Sequence, residues 1–367
     1  MNIGVVGCGN ISDIYLENLT GVFPKWRKGS LERVVAVADL DDQKAQRQAK
    51  RYAIPRVSSL DEMLQDPEIH VILNLTNPGA HFGINSSALL AGKHVYSEKP
   101  LCLSNQEAQQ LLSIADEKKR WMGCAPDTIL GGGIQTCREV LDKGAIGKVV
   151  GVAGFMTCPG HEWWHPDPEF YYQPGGGPLL DMGPYYLSTM VYLLGSIREV
   201  QGMAATPQAF RTIFSGPKAG KKFEVQTPTH ITALLGFENG ALGNLVMSFD
   251  TWYSHLPFLE IYGEKGTLTV PDPNSFGGPV LLRKSHGKEW EQLNIAKPFT
   301  ANSRGLGLIE MIDAIQENHE CICSGKTAAH VLEAMNGILE AAQTGNSIPI
   351  QSPIPNSRLL PNPLSGQ

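Results

Sequence analysis

Ile3-Gly4-Val5-Val6-Gly7-Cys8-Gly9-Asn10-Ile11-Ser12 stands almost at the start of the chain, and its reading decides the fold. Residues 3–6 are an apolar, largely β-branched run and read as a buried strand. Gly7 permits a tight turn, and Gly9 lets a backbone come close to a pyrophosphate at the positive end of the helix expected over 11–19. Ser12 stands where a third Gly or Ala is usual, and it is small enough to keep helix and strand close. Strand, glycine turn and helix in this order predict a dinucleotide-binding crossover unit.

Outward from that turn, strand and helix patterns alternate through residue 125. Apolar runs at 34–38, 71–75, 94–96 and 121–125 predict strands, with helices over 42–52, 80–91 and 105–119 between them. Ser104-Asn105-Gln106-Glu107 is a capping box for the last of these, because each end satisfies an orphan amide of the first turn. Near-continuous apolar strands separated by helices predict a parallel sheet covered on both faces. After Pro126 the rhythm changes. A helix over 134–143 and a strand over 149–157 lead into a loop at 158–178 rich in aromatics, Pro and Gly. Hairpin patterns follow, flanking Glu238-Asn239-Gly240, 263–266 and His286-Gly287. Helices are expected over 306–318 and 327–344, before a Pro-rich tail. The fold class is an α/β Rossmann domain at 1–124, followed by an α+β domain at 125–367 with a mostly antiparallel sheet.

Composition narrows the function. The 367 residues suit roughly two or three domains, and 42% apolar with 18% charged residues is enough for a packed core. A net charge of -6 with scattered Lys and Arg disfavours a nucleic-acid partner. No apolar run is long enough for a membrane span, and the first residues do not read as a signal peptide. Seven cysteines, an odd number with no Cys-x-x-Cys pair, suit a reducing cytoplasm. We expect a cytoplasmic enzyme acting on a small molecule, with no nucleic acid or membrane partner.

Asp39 ends the second predicted strand, where a carboxylate can accept both hydroxyls of an adenosine ribose. An apparent insertion at 21–31 accounts for its distance from the glycines. Asp41 and Asp42 follow with no nearby Arg, and three carboxylates would repel a 2′-phosphate, so NAD is expected over NADP. Capping of the next helix is the structural alternative for Asp39. Glu98-Lys99-Pro100 lies at the carboxyl end of the fourth strand, the edge where open α/β sheets bind ligands. A Lys held there could donate to a substrate hydroxyl and relay its proton. Asp181 and Tyr185 are four apart behind Gly175-Gly176-Gly177, so a helix puts both on one face, provided Pro184 is tolerated. His161-Glu162-Trp163-Trp164-His165 matches a zinc-protease pattern, but Pro159-Gly160 and Pro166-Asp167-Pro168 deny it the helix that chemistry needs, and no metal is expected. Its Trp163 or Trp164 could stack on a sugar ring and His165 could hydrogen-bond a hydroxyl; packing or a subunit contact is the alternative.

Gly7-x-Gly9, Asn77-Pro78 with His81, Gly92-Lys93-His94-Val95 before Glu98-Lys99-Pro100, and the 175–185 stretch occur in this order along nearly the whole chain. Together they resemble the glucose-fructose oxidoreductase, inositol dehydrogenase and rhizopine-catabolism family (Gfo/Idh/MocA). The resemblance implies hydride transfer between NAD(P) and a hydroxyl carbon of a sugar or cyclitol. It implies a cofactor held by Gly7, Gly9, Asn10, Ile11, Asp39, Thr76, Asn77, His81, Glu98 and Lys99, with Glu98 near the nicotinamide ribose. Lys99, Asp181 and Tyr185 become the catalytic candidates, and Lys99, Trp163, Trp164, His165, Asp181 and Tyr185 the substrate-binding ones. An open sheet in the second domain implies a homodimer or homotetramer. Members commonly carry His four residues after this Asp, where this chain has Tyr185. Either Tyr185 and Lys99 share the proton work, or His161 or His165 supplies the imidazole, or the chemistry is weak. Two rivals remain: the same site using tightly held NAD for elimination or hydrolysis without net redox change, and a non-catalytic NAD-binding sensor.

Overall fold

Strand β1 (Asn2–Val6) is apolar throughout because both of its faces are covered, the mark of a central parallel strand. In the computed structural model, which describes residues 1–26 and 32–354, β1 is hydrogen-bonded between β2 (Arg33–Ala38) and β4 (Val71–Asn74). The six-stranded parallel sheet is completed by β3 (Arg56–Val57), β5 (His94–Ser97) and β6 (Met122–Cys124), in the order β3-β2-β1-β4-β5-β6. The order reverses direction at β1 and β4, so the connections after these strands part and open a crevice at their carboxyl ends.

Helices α1 (Ser12–Glu17), α3 (Asp42–Arg51), α5 (Pro78–Leu90) and α6 (Asn105–Lys118) make the crossovers. The expected helix over 11–19 is longer than its pattern: α1 runs on as a π-helical turn over Asn18–Val22 and then as α2 (Phe23–Trp26). Part of the apparent insertion at 21–31 is therefore helical, and its residues 27–31 lie outside the described residues, as do 355–367 of the expected tail. The capping box at Ser104 and Glu107 forms with both of its hydrogen bonds. A short helix, α4 (Leu60–Gln65), carries a second box between Ser59 and Glu62 that the sequence reading passed over.

The chain divides into two compact units, and Met1–Leu130 shares its unit with the much later segment Ala301–Ala329. Two domains split between 124 and 125 were expected; that expectation carried no such return. Cys124 N–H donates to the Cys323 carbonyl at 2.9 Å, and Gly123 bridges Ser324, so backbone from this segment pairs with β6. Asp127 is buried and accepts the amides of Gly305 and Gly307, at 2.8 and 3.1 Å, capping the helix Leu306–Glu317 (α9) from outside it.

Burial pushes the Asp127 carboxyl up to about 6 despite these two amides. The folded protein therefore holds a proton on Asp127 where the unfolded chain, near 3.9, has released it. Its contribution is greatest below about pH 4, is lost as pH climbs to about 6, and is constant above that. Melting curves across that range should show wild type losing on the order of 2–3 kcal/mol that Asp127→Asn, which keeps the acceptor oxygen, does not lose. Parallel losses in the two proteins would contradict the assignment.

The second unit holds Gly131–Thr300 and the described residues from His330 on. Its elements before the sheet hairpins are α7 (Gly132–Asp142), β7 (Val149–Thr157), α8 (Pro178–Leu194) and β8 (Ile197–Ala205). A small hairpin of β9 (Phe210–Thr212) and β10 (Lys222–Glu224) precedes β11 (His230–Phe237) and β12 (Leu242–Ser248). Then come β13 (Leu259–Gly263), β14 (Gly266–Val270), β15 (Leu281–Lys284) and β16 (Glu291–Gln292). Helix α10 (Gly325–Thr344) and β17 (Ile348–Pro349) end the described chain's regular structure.

The large sheet runs β16-β15-β14-β13-β7-β12-β11-β8-β17. Its described pairings are antiparallel except β7 with β12, which are joined by a long crossover and pair parallel. Helix α8 lies against β7, β11 and β12. The approach is close because β7 carries Gly154: a Cβ there would stand 2.6 Å from the Met190 methyl. Strand β8 and the β9–β10 hairpin are absent from the sequence reading. Ile197-Arg198-Glu199-Val200-Gln201-Gly202 lacks the strict alternation that marks a half-buried strand.

Candidate active site

The glycine turn is shaped by what sits against it. Gly7 has φ +100, and a Cβ there would stand 2.7 Å from the Leu75 carbonyl carbon, so backbone beyond β4 and a left-handed turn both demand glycine. Gly9 differs: the space a Cβ would take is open, which leaves its backbone approachable. Ser12 is wholly buried; its hydroxyl donates to the Gly9 carbonyl at 2.6 Å and accepts from the Gln48 amide at 3.0 Å. The residue that departs from the usual glycine thus ties the turn to α3. Asn10 is exposed and Ile11 half-buried beside it.

Asp39 reaches this turn directly. One carboxylate oxygen accepts the Cys8 amide at 2.7 Å and the other the Asp41 amide at 2.9 Å. The N-cap of α3 is Asp41, whose side chain accepts from the Gln43 amide at 3.0 Å, so capping does not account for Asp39. A left-handed glycine turn, an open Gly9 and a carboxylate anchored between the β1 and β2 tips fit the phosphates and ribose of a dinucleotide.

At the tip of β5, Glu98 is buried and fully engaged. It accepts the Tyr15 hydroxyl at 2.7 Å and the Lys99 amide at 2.9 Å, while its own N–H donates to Asn74 at 2.8 Å. Burial, and then the charge of Glu98, push the Tyr15 hydroxyl well above its ordinary range, so it stays a donor. The Lys99–Pro100 bond is cis. His81 was expected at the cofactor, but its ring is wholly buried. Its nitrogens face the Pro100 carbonyl at 2.6 Å and the Thr76 carbonyl at 3.0 Å, so it ties the loop after β4 to the turn after β5. Thr76 donates its hydroxyl to Asn74 at 2.7 Å, and Asn77 is exposed at the head of α5.

In the second unit, α8 begins at Gly177, in the left-handed region, followed by Pro178 at its first position. Asp181 is therefore inside the first turns, its N–H donating to the Gly177 carbonyl at 3.0 Å, and Tyr185 is buried one turn on. Pro184 sits within the helix, where it withholds one amide from the ladder. The imidazole that meets Asp181 comes from the loop: His161 Nε2 lies 3.2 Å from an Asp181 carboxylate oxygen. Tyr171 and Phe249 rings flank His161 at 4.1 and 4.5 Å, and Trp164 stands edge-on at 5.4 Å.

The residue next to it explains the apparent zinc motif. Glu162 is buried, paired with Arg211 at 2.6 Å, and it accepts the Tyr172 hydroxyl. Arg211, from β9, is buried too and also binds Asp250 and the Pro159 carbonyl. His165 turns instead to its own loop, its Nδ1 accepting the Asp167 amide at 3.0 Å. Burial, and then neighbouring His161, lower the His165 pKa. Among the described residues no group of three or more His, Cys, Asp or Glu could hold a metal. Of the aromatic candidates, Trp164 borders His161, whereas Trp163 stacks parallel on Phe214 at 4.0 Å and meets Trp252 edge-on at 4.8 Å. Sequence reasoning missed Tyr15, Tyr172, Arg211 and Asp250. No local spacing could have found them, because each pairs with a residue remote along the chain, except Tyr172, which lies ten positions from Glu162.

Comparison with known proteins gives two family matches. Residues 1–124 match a model described as an oxidoreductase family with an NAD-binding Rossmann fold, and residues 134–269 match a GFO/IDH/MocA C-terminal domain. A dTDP-3,4-didehydro-2,6-dideoxy-alpha-D-glucose 3-reductase of Streptomyces violaceoruber is 27% identical, the match covering 79% of each chain. Myo-inositol 2-dehydrogenase of Thermotoga maritima is 25% identical over 73% of this chain and 74% of its own. Among solved structures, levoglucosan dehydrogenase in its apo form has a TM-score of 0.83 at 19% identity, covering 96% of this chain and 99% of that one. An NAD binding oxidoreductase from Klebsiella pneumoniae has a TM-score of 0.82 at 21% identity over the same shares.

Proposed function

Because the chain belongs to the Gfo/Idh/MocA oxidoreductases and carries their NAD-binding Rossmann domain, we propose that it is an NAD-dependent dehydrogenase acting on a CH–OH group of a sugar or cyclitol. The observation that carries this reading is the Glu98–Lys99 turn. Three hydrogen bonds fix Glu98 and the Lys99 amide at the carboxyl end of a central parallel strand, where this architecture binds ligands. The names of relatives that reduce or oxidise sugars and inositol support the substrate class.

A bound nicotinamide supplies a two-electron acceptor for the hydride of a carbinol carbon. Gly7, Gly9, Asn10 and Ile11 would hold the phosphates, and Asp39 would accept the adenosine ribose hydroxyls. The Asp39, Asp41 and Asp42 carboxylates favour NAD over NADP, since a 2′-phosphate there meets like charge. Lys99 takes up the proton of the reacting hydroxyl as the carbinol carbon is oxidised, and the N–H so formed holds the product oxygen. Asp181 accepts from a substrate hydroxyl and fixes the sugar, and Tyr185 stands on the same helix face. His81 and Glu98 act on Lys99 through the backbone they hold.

The second-unit sheet supports a homodimer or homotetramer. Alternate positions of β8, β11 and β12 leave Met203, Leu234 and Leu242 exposed on one face, and apolar surface of this kind is buried well by a second copy. The test is reduced-nicotinamide absorbance with purified protein, NAD or NADP, and a panel of pyranoses and inositols, with their keto forms for the reverse direction. We expect NAD-dependent oxidation of at least one member. No absorbance change with any pair in either direction would remove the assignment.

A further inference from the structure

We propose that His161 is a positioning residue for Asp181, locked with its N–H on Nε2, so that the carboxylate keeps one orientation toward substrate hydroxyls. This rests on the reading of Asp181 as a substrate ligand, and it assigns the imidazole to the 158–178 loop and not to the face of α8.

The geometry is specific. His161 Nε2 stands 3.2 Å from Asp181, while His161 Nδ1 is buried and makes no hydrogen bond. A proton on Nδ1 would bury an unpaired donor and turn a lone pair toward a carboxylate. A proton on Nε2 instead donates to Asp181 and leaves only an acceptor unpaired. The ring is denied other poses by Tyr171 and Phe249 on its flanks. Both members of the pair keep a small exposed share, 12% for His161 and 17% for Asp181, so a ligand can reach the carboxylate while little water competes for it.

The backbone of His161 is anchored more firmly than aromatic packing requires. Its N–H donates to the Tyr172 hydroxyl at 3.0 Å, and that hydroxyl donates to Glu162. Glu162 is held by Arg211, which also grips Asp250 and the Pro159 carbonyl. Burying these charges costs desolvation that their pairing only roughly offsets. Their result here is a loop fixed on both sides of residue 161. The orienting partner of a carboxylate or imidazole acts this way in other sites, through the atom it holds.

The test separates this role from proton transfer and from packing. Glutamine places an amide N–H about where Nε2–H lies but cannot take up a proton. His161→Leu should raise the KM for the polyol roughly 10- to 100-fold, with NADH affinity unchanged, and His161→Gln should recover most of that loss. Gln as damaging as Leu, or both like wild type, overturns the proposal. Nitrogen-15 spectra of labelled histidine test it without turnover, and so independently of the dehydrogenase reading. His161 should show a single Nε2–H tautomer in wild type and lose it in Asp181→Ala. A mixed or Nδ1–H tautomer in wild type, or no change in Asp181→Ala, overturns it even if a substrate is found.

Discussion

Lys99→Met is expected to lower turnover by about a thousandfold or more, the upper part of the range for a positioned acid–base group, while NADH binds within a few-fold of wild type. The separation follows from how the turn is built. Glu98 holds residue 99 through its backbone amide, and Glu98 is itself held by Tyr15 and Asn74. His81 holds the following Pro100 carbonyl. None of these contacts uses the Lys99 side chain, so they should still hold the turn in Lys99→Met while the amine is lost. What is lost is the group that takes up the hydroxyl proton as the carbinol carbon is oxidised. Steady-state kinetics beside an NADH fluorescence titration make the comparison. Turnover within tenfold of wild type would take Lys99 out of the chemistry.

The second large effect is expected at Asp39. Asp39→Ala should weaken NAD by roughly 10- to 100-fold, the worth of charge-assisted hydrogen bonds to two hydroxyls, and weaken NADP far less. Part of the loss is indirect, because the same carboxylate anchors the Cys8 amide in the glycine turn. That part strikes both cofactors alike, so the ratio of the two losses isolates the ribose contact. Equal losses in paired titrations would mean that Asp39 serves the turn alone.

What the sequence made legible was whatever local pattern dictates. The glycine turn, the alternation of apolar strands and helices, and the Ser104–Glu107 box each arise within a few residues, and each is found. The choice between Asp39 as ribose ligand and as helix cap was not readable, because Asp41 competes for the cap two positions on and wins it. His81 carries the motif of a cofactor contact, yet burial makes it a tie between two loops. The His-Glu-x-x-His match misleads because spacing records neighbours in sequence. Here Glu162 pairs with Arg211, while His161 and His165 turn to Asp181 and to the Asp167 amide. Which of Tyr185, His161 or His165 stands by Asp181 depends on the path of a twenty-residue loop between strand and helix, which no periodicity encodes.

The return of Ala301–Ala329 to the first unit bears on how the chain is born. Backbone at Cys323 and Ser324 pairs with β6, and Asp127 waits for the amides at Gly305 and Gly307. Most of the second unit, Gly131–Thr300, is synthesised in between, which at ribosomal speeds of about 5–20 residues per second takes on the order of ten seconds or more. Throughout that interval the cofactor-binding half leaves the exit tunnel with a raw sheet edge and an uncapped carboxyl. It is exposed then to chaperones and to mispairing with its neighbours on the polysome, and its last strand is sealed only when residues 323 and 324 emerge.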